Sequence, residues 1–162
     1  MSINKGVTGS GIEYSVHACP AKIEKEVATV LPGADLSKLL IVPTCQRAVT
    51  DLVKTGEDVE KEKDELLEKF MAWAKKVCGS LEGQGFWSDY IDPCSGLAMI
   101  HQDSQIVYNE VEALSILKGY STANAGCCKI LLHPKWGSSV YPASLFTCAP
   151  LPALQAAITA AE

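Results

Sequence analysis

Two adjacent cysteines, Cys127 and Cys128, stand between Gly126 and Lys129 in a stretch, 126–133, that reads as a β-strand. Neighbours on a strand face opposite ways, so Cys127, Lys129, Leu131 and His133 are expected on one face and Cys128, Ile130 and Leu132 on the other. Cys128 then reads as a buried small hydrophobe in an aliphatic row. Cys127 keeps company with an ammonium, which lowers a thiol pKa, and with an imidazole, so it is the candidate thiolate. The plainer alternative, that both thiols only pack a core strand, stays open at this point. A bond between the two is disfavoured, because adjacent residues reach disulfide geometry only by distorting the peptide between them.

The other chemistry-bearing residues are scattered. No Cys-x-x-Cys pair is present, so a structural zinc site lacks its usual signature, although His133 could approach Cys127 if the strand bends. A cysteine hydrolase needs a histidine base and an orienting third group, and His17, His101 and His133 offer only generic candidates. No glycine-rich nucleotide loop occurs. Cys19, followed by Pro20 at the start of an expected helix, reads first as a cap or packing residue and only secondarily as a thiol whose pKa a helix N-terminus would depress.

The composition bounds what can position these groups. With 162 residues, 48% of them apolar and 20% charged, the chain has enough material for one core and too little for two. Its net charge is −5 and Arg47 is its only arginine, which argues against a nucleic-acid face. No apolar run approaches a membrane span, and the start resembles neither a signal nor a transit peptide, so a cytoplasmic protein is expected, or a mitochondrial one if a leader has been removed. Seven scattered cysteines argue for reduced thiols.

The patterning predicts a mobile polar N-terminus over 1–11, a single domain over 12–149 and an Ala-rich tail over 150–162 that forms a frayed helix. Within the domain, alternation over 12–19 predicts a strand, and Ile23, Val27 and Val30 a helix stopped at Leu31-Pro32-Gly33. An apolar run from Leu39 predicts a strand in which Pro43 marks an edge or a bulge. Leu66, Leu67, Phe70, Trp73, Ala74, Val77, Cys78 and Leu81 define a long amphipathic helix from 58 to 79 or slightly beyond, supported by Glu57–Lys61 and Glu65–Lys69 pairs. A hairpin is expected from 97–100 and 105–108, a short helix or a mobile loop over 110–118 ending at Gly119, and two strands, 126–133 and 139–148, with Pro142 at a bulge or edge.

Leu66-Leu67-Glu68-Lys69-Phe70, then Gly85-Phe86-Trp87-Ser88-Asp89-Tyr90-Ile91-Asp92-Pro93, then Gly126-Cys127-Cys128-Lys129, His133, Trp136-Gly137 and Ser144-Leu145-Phe146-Thr147 together resemble one family. It is the C-terminal domain of the methylmalonic aciduria and homocystinuria type D proteins, the cblD cobalamin trafficking chaperones. The likeness runs in order from about Tyr14 to about Thr147. It implies an α+β fold with a nitroreductase-like scaffold, a mainly antiparallel sheet packed with a long helix, from which flavin and enzyme activity have been lost. The sole arginine agrees, since a flavin phosphate is commonly held by clustered arginines.

The resemblance implies an adaptor, not an enzyme. Its partner would be a cblC-like processing protein carrying cob(II)alamin, and its destinations methionine synthase or methylmalonyl-CoA mutase. Cys127 aligns with the family's cobalt-ligating cysteine. Lys129 would then favour the thiolate, and His133 and Trp136 would shape the adjoining cofactor-binding surface. A flavin-dependent nitroreductase-like oxidoreductase and a thiol redox or zinc-binding module are the alternatives. Cys94, Cys148 and the segment 102–122 depart from the family pattern.

Overall fold

A computed structural model describes residues 2–162. Its main sheet has five strands in the order β1-β2-β3-β7-β4, all neighbours antiparallel. These are β1 (Asn4–Val7), β2 (Glu13–Ala18), β3 (Leu40–Arg47), β4 (Ser88–Tyr90) and β7 (Val140–Thr147). A separate hairpin joins β5 (Ser121–Ala125) to β6 (Cys128–Leu132). The helices are α1 (Glu24–Val30), α2 (Glu57–Gly83), α3 (Glu110–Lys118) and α4 (Leu151–Ala160). The expected α+β class with a mainly antiparallel sheet and a long helix is therefore observed.

Both faces of the sheet are covered, which explains why β3 reads as an unbroken apolar run and not as an alternation. Val42 and Leu145 point to one face, where they meet Phe70, Trp73, Val77 and Leu81 of α2. Ile41 and Phe146, one residue on in each strand, point to the other and meet Val27 and Val30 of α1 and Leu117 of α3. Pro43 lies in the central strand, not at an edge. Its missing N–H is tolerated without a register slip: Tyr14 pairs with Thr44 before it and His17 with Ile41 beyond it. Pro142, opposite Cys45, lies past the end of short β4, so its other flank is open.

Several expectations change here. Of the segment read as mobile, Met1 lies outside the described residues, and 4–7 form edge strand β1 against β2. The Ala-rich tail is no frayed appendage, because Leu154, Ala157 and Ile158 of α4 are buried in the core with α2. The expected hairpin over 97–108 is absent: only an isolated bridge, Ile91 with Ala98, forms, and 101–109 runs without regular structure. The strand 126–133 does not join 139–148, since β6 pairs with β5 and β7 with β3 and β4.

The charges on α2 also act differently from the expected i,i+4 pairs. Glu62 accepts the backbone N–H of Val49 (2.6 Å) and Thr50 (2.9 Å), tying down the loop after β3. Lys69 donates to the Ser10 carbonyl at 2.6 Å instead of meeting Glu65.

Candidate functional site

Gly126 and Cys127 are the two turn residues of the β5–β6 hairpin, closed by the Ala125–Cys128 pair. Gly126 has φ +64°, and Cys127 is not among the residues with positive φ. That order, left-handed first and right-handed second, is the type II′ arrangement whose twist matches the flanking strands. The strand thus begins at Cys128, and Cys127 sits at the tip.

The two rows of the strand are the expected ones, but the opposite row faces inward. Leu131 and His133 are buried against the body of the protein, with Leu131 packed on Leu114 of α3, Cys45 and Val140. Cys128 shares the outer row with Ile130 and Leu132 and is exposed, so it is not the buried anchor that the strand phase suggested. Residues 126–129 are all exposed, because the hairpin tip extends past the helix that Leu131 grips. Both adjacent thiols face solvent.

The remaining cysteines are different. Burial pushes the Cys45 thiol up to about 12 and Cys78 higher still. Cys19 is raised too, first by burial and then by Glu24, which fits the packing role and not the secondary reading as a thiol activated by a helix N-terminus. Pro20 and the 3₁₀ turn Ala21–Ile23 separate it from α1. Cys148 is raised by burial, and Cys94 is exposed in the turn that Asp92 caps through the Cys94 N–H at 2.9 Å.

Lys129 lies beside the tip, but its ammonium is on Glu112 of α3 at 2.9 Å. Both side chains are about half exposed, so the pair orients the tip more than it stabilises the fold. Glu112→Ala is expected to shift the unfolding free energy by less than about 1 kcal/mol, measured by urea denaturation.

His133 and Trp136 are at the other end of β6, about 17 Å from Cys128 at the usual rise per residue. The structure therefore does not gather the four expected site residues into one pocket. Nδ1 of His133 accepts the backbone N–H of Lys135 (3.1 Å) and Trp136 (3.3 Å), which places the ring proton on Nε2, donated to Glu13 at 3.0 Å. The imidazole also stacks on Trp136 at 3.9 Å between ring centroids. With both nitrogens engaged, His133 pins the turn after β6 to β2. Among the described residues no group of three His, Cys, Asp or Glu side chains is placed to hold a metal ion.

A model of the methylmalonic aciduria and homocystinuria type D protein family matches residues 3–158. The chain belongs to that family. It is 35% identical over 136 residues to the cobalamin trafficking protein CblD of Homo sapiens and to that of Rattus norvegicus, and 34% identical to that of Mus musculus. Each alignment covers 84% of this chain and 46% of the relative, so the chain spans about half the length of the curated relatives it matches. The family match reaches further at both ends than the motifs from Tyr14 to Thr147, and it takes in β1 and most of α4. Those two elements complete the sheet edge and the α2 packing layer, so they belong to the family fold. No helix among the described residues is long and apolar enough to cross a membrane.

The segment 102–122, in which the motifs departed most from the family pattern, contains the support of the hairpin. It runs over α1, where Ser104 Oγ donates to the Thr29 carbonyl at 2.7 Å, and then enters α3. Asn109 caps α3 by accepting the Glu112 N–H at 3.1 Å, and Gly119 ends the helix at φ +68°. The sequence had marked this helix as one of two readings. It had not marked β5, whose Ser121-Thr122-Ala123-Asn124-Ala125 carries little apolar alternation. The Gly-x dipeptide at Gly126 is the signal that points to the turn.

Proposed function

We propose that the chain is a cobalamin trafficking adaptor that docks on a cblC-like processing protein carrying cob(II)alamin and offers the Cys127 thiolate to cobalt. In this reading it is not an enzyme and holds no flavin. It assists delivery of the cofactor to methionine synthase or methylmalonyl-CoA mutase, and a cytoplasmic place of action fits the former. Family membership and the names of the relatives support the cobalamin part.

The observation that carries the thiolate part is the position of Cys127 at the exposed tip of a two-residue turn. A sulfur there can enter a cavity of a second protein while Leu131, His133 and Trp136 keep the base of the hairpin fixed. A thiolate is a soft donor suited to a transition metal. Lys129 contributes a positive charge near the tip, balanced by Glu112. Neither the comparisons nor the geometry lends support to the flavin-enzyme or the zinc alternative.

The test is the absorption spectrum of cob(II)alamin bound to a cblC-like partner, before and after addition of this chain. The wild type is expected to change the spectrum, Cys127→Ser to abolish the change and Cys128→Ser to retain it. Both variants should keep wild-type stability, because each replaces an exposed side chain. A spectral change that persists in Cys127→Ser would remove the cobalt-ligand assignment.

A further inference from the structure

A cleft of about 450 Å³ opens between edge strand β1, the start of β2 and the turn after β6, at the end of the hairpin remote from Cys127. Its size falls in the range of small-molecule sites. Three lysines line it, Lys5 of β1, Lys118 in the last turn of α3 and Lys135 after β6. None of the three forms an ion pair among the described residues. Such a grouping runs against the net charge of the chain, which is −5.

The one carboxylate in the lining, Glu13, is already engaged: it accepts from His133 Nε2 at 3.0 Å and hydrogen-bonds with Tyr120. Three ammonium groups thus face a cavity whose single acid is turned to its wall. The field in the cleft is positive, and it attracts an anion.

Two tyrosines give the cleft flat apolar surface. Tyr14 of β2 lies across Gly6 of β1, its cross-strand partner. A Cβ at Gly6 would stand 2.7 Å from the Tyr14 hydroxyl oxygen, so the ring has its place only because residue 6 is glycine. Tyr120 lies under Lys118, whose Nζ is 5.1 Å from the ring centroid. Burial holds the Tyr120 hydroxyl up at about 12, which keeps it a neutral hydrogen-bonding group at physiological pH. Lysine is a point charge that binds phosphate without requiring one orientation, and aromatic faces accept planar rings.

We infer that this cleft is a binding site for a small phosphate-bearing molecule with a flat ring system, the chemistry of a nucleotide. The lysines take the phosphate and the tyrosine faces take the ring. The site is independent of the Cys127 reading, since it shares no residue with the hairpin tip.

The test is calorimetric titration of the chain with ADP, and with adenosine and inorganic phosphate as its separate halves. Saturable ADP binding is expected, with adenosine and phosphate each at least tenfold weaker. Lys5→Ala with Lys135→Ala, both on exposed side chains, should weaken ADP at least tenfold, and so should Tyr120→Ala. Cys127→Ser should bind ADP like the wild type, which separates this site from the cobalt ligand. The inference fails if ADP shows no saturable binding or binds the double lysine variant equally well. It also fails if adenosine or phosphate alone matches ADP.

Discussion

Asp89→Ala is expected to destabilise the fold by about 3–5 kcal/mol, a large part of the stability of an ordinary domain. Asp89 lies in β4, fully buried, and its carboxylate accepts the backbone N–H of Tyr90 (2.8 Å), Met99 (3.2 Å), Ile100 (2.8 Å) and His101 (2.8 Å). Burial raises its pKa, and the N–H groups of Ile100, His101 and Tyr90 act against that by favouring the charged form. Met99 has a second acceptor in the Tyr90 carbonyl, so the amides of Ile100, His101 and Tyr90 carry the loss when the carboxylate is removed. Each buried donor left without a partner costs about 1–3 kcal/mol. Urea denaturation would measure the sum, and hydrogen exchange would place it: protection should fall over 99–109 and next in α3. Asp89→Asn keeps one acceptor oxygen and should lose less. An alanine variant within about 1 kcal/mol of wild type would show that water replaces the carboxylate at these amides.

The same carboxylate shows what the sequence did and did not disclose. Asp89 stands in a motif that carried the family resemblance, yet its function as the organiser of 99–101 depends on contacts ten to twelve residues away. The 97–108 stretch has the apolar alternation of a hairpin, but Asp89 takes the amides of 99–101 and the Gly96 carbonyl takes the Tyr108 N–H, leaving no ladder to form. Long periodic elements were legible because their pattern is local. Thus α2 appears as Glu57–Gly83, with Phe70, Trp73, Val77 and Leu81 buried as its stripe required. β1 was not legible, for Val7 is its only large apolar residue and is exposed, and pairing with β2 is what makes it a strand.

At the site, the choice of Cys127 over Cys128 rested on a strand phase whose two rows are the observed ones, but the row that faces inward is that of Leu131 and His133, not that of Cys128. The hairpin keeps Cys127 prominent for another reason, its place at the tip, and exposes Cys128 as well. Alternation sorts a strand into two rows without saying which row meets the core, and packing of Leu131 on Leu114 of α3, Cys45 and Val140 decides it here. Reading Gly126 as the first residue of a two-residue turn, and not as the start of a strand, would have placed Cys127 at the hairpin tip.

Glu110→Gln is expected to stabilise the protein above pH 7 and to leave it nearly unchanged at pH 4. Glu110 opens α3, and its carboxyl end is enclosed although the stem is half-buried. Oε2 accepts from Ser144 Oγ at 2.8 Å, while Oε1 has no hydrogen-bond partner. Burial pushes the carboxyl up to about 7, against the side-chain and backbone hydrogen bonds of Ser144, which favour the charged form. The folded state therefore holds a proton that the unfolded chain releases near pH 4.5. Below pH 4.5 both states are protonated and the group has no differential effect. As pH rises from there to about 7, stability falls, and the cost then levels off at about 3 kcal/mol. Glutamine keeps the acceptor for Ser144 and carries no charge at any pH. Denaturation of both proteins at pH 4, 6 and 8 should give curves that coincide at pH 4 and separate by about 1–3 kcal/mol at pH 8, the variant being the more stable. Comparing the two proteins cancels the contributions that both share. Parallel curves would mean that the Glu110 carboxyl is ionised in the folded protein at pH 6, with its charge met by groups that enter when α3 moves.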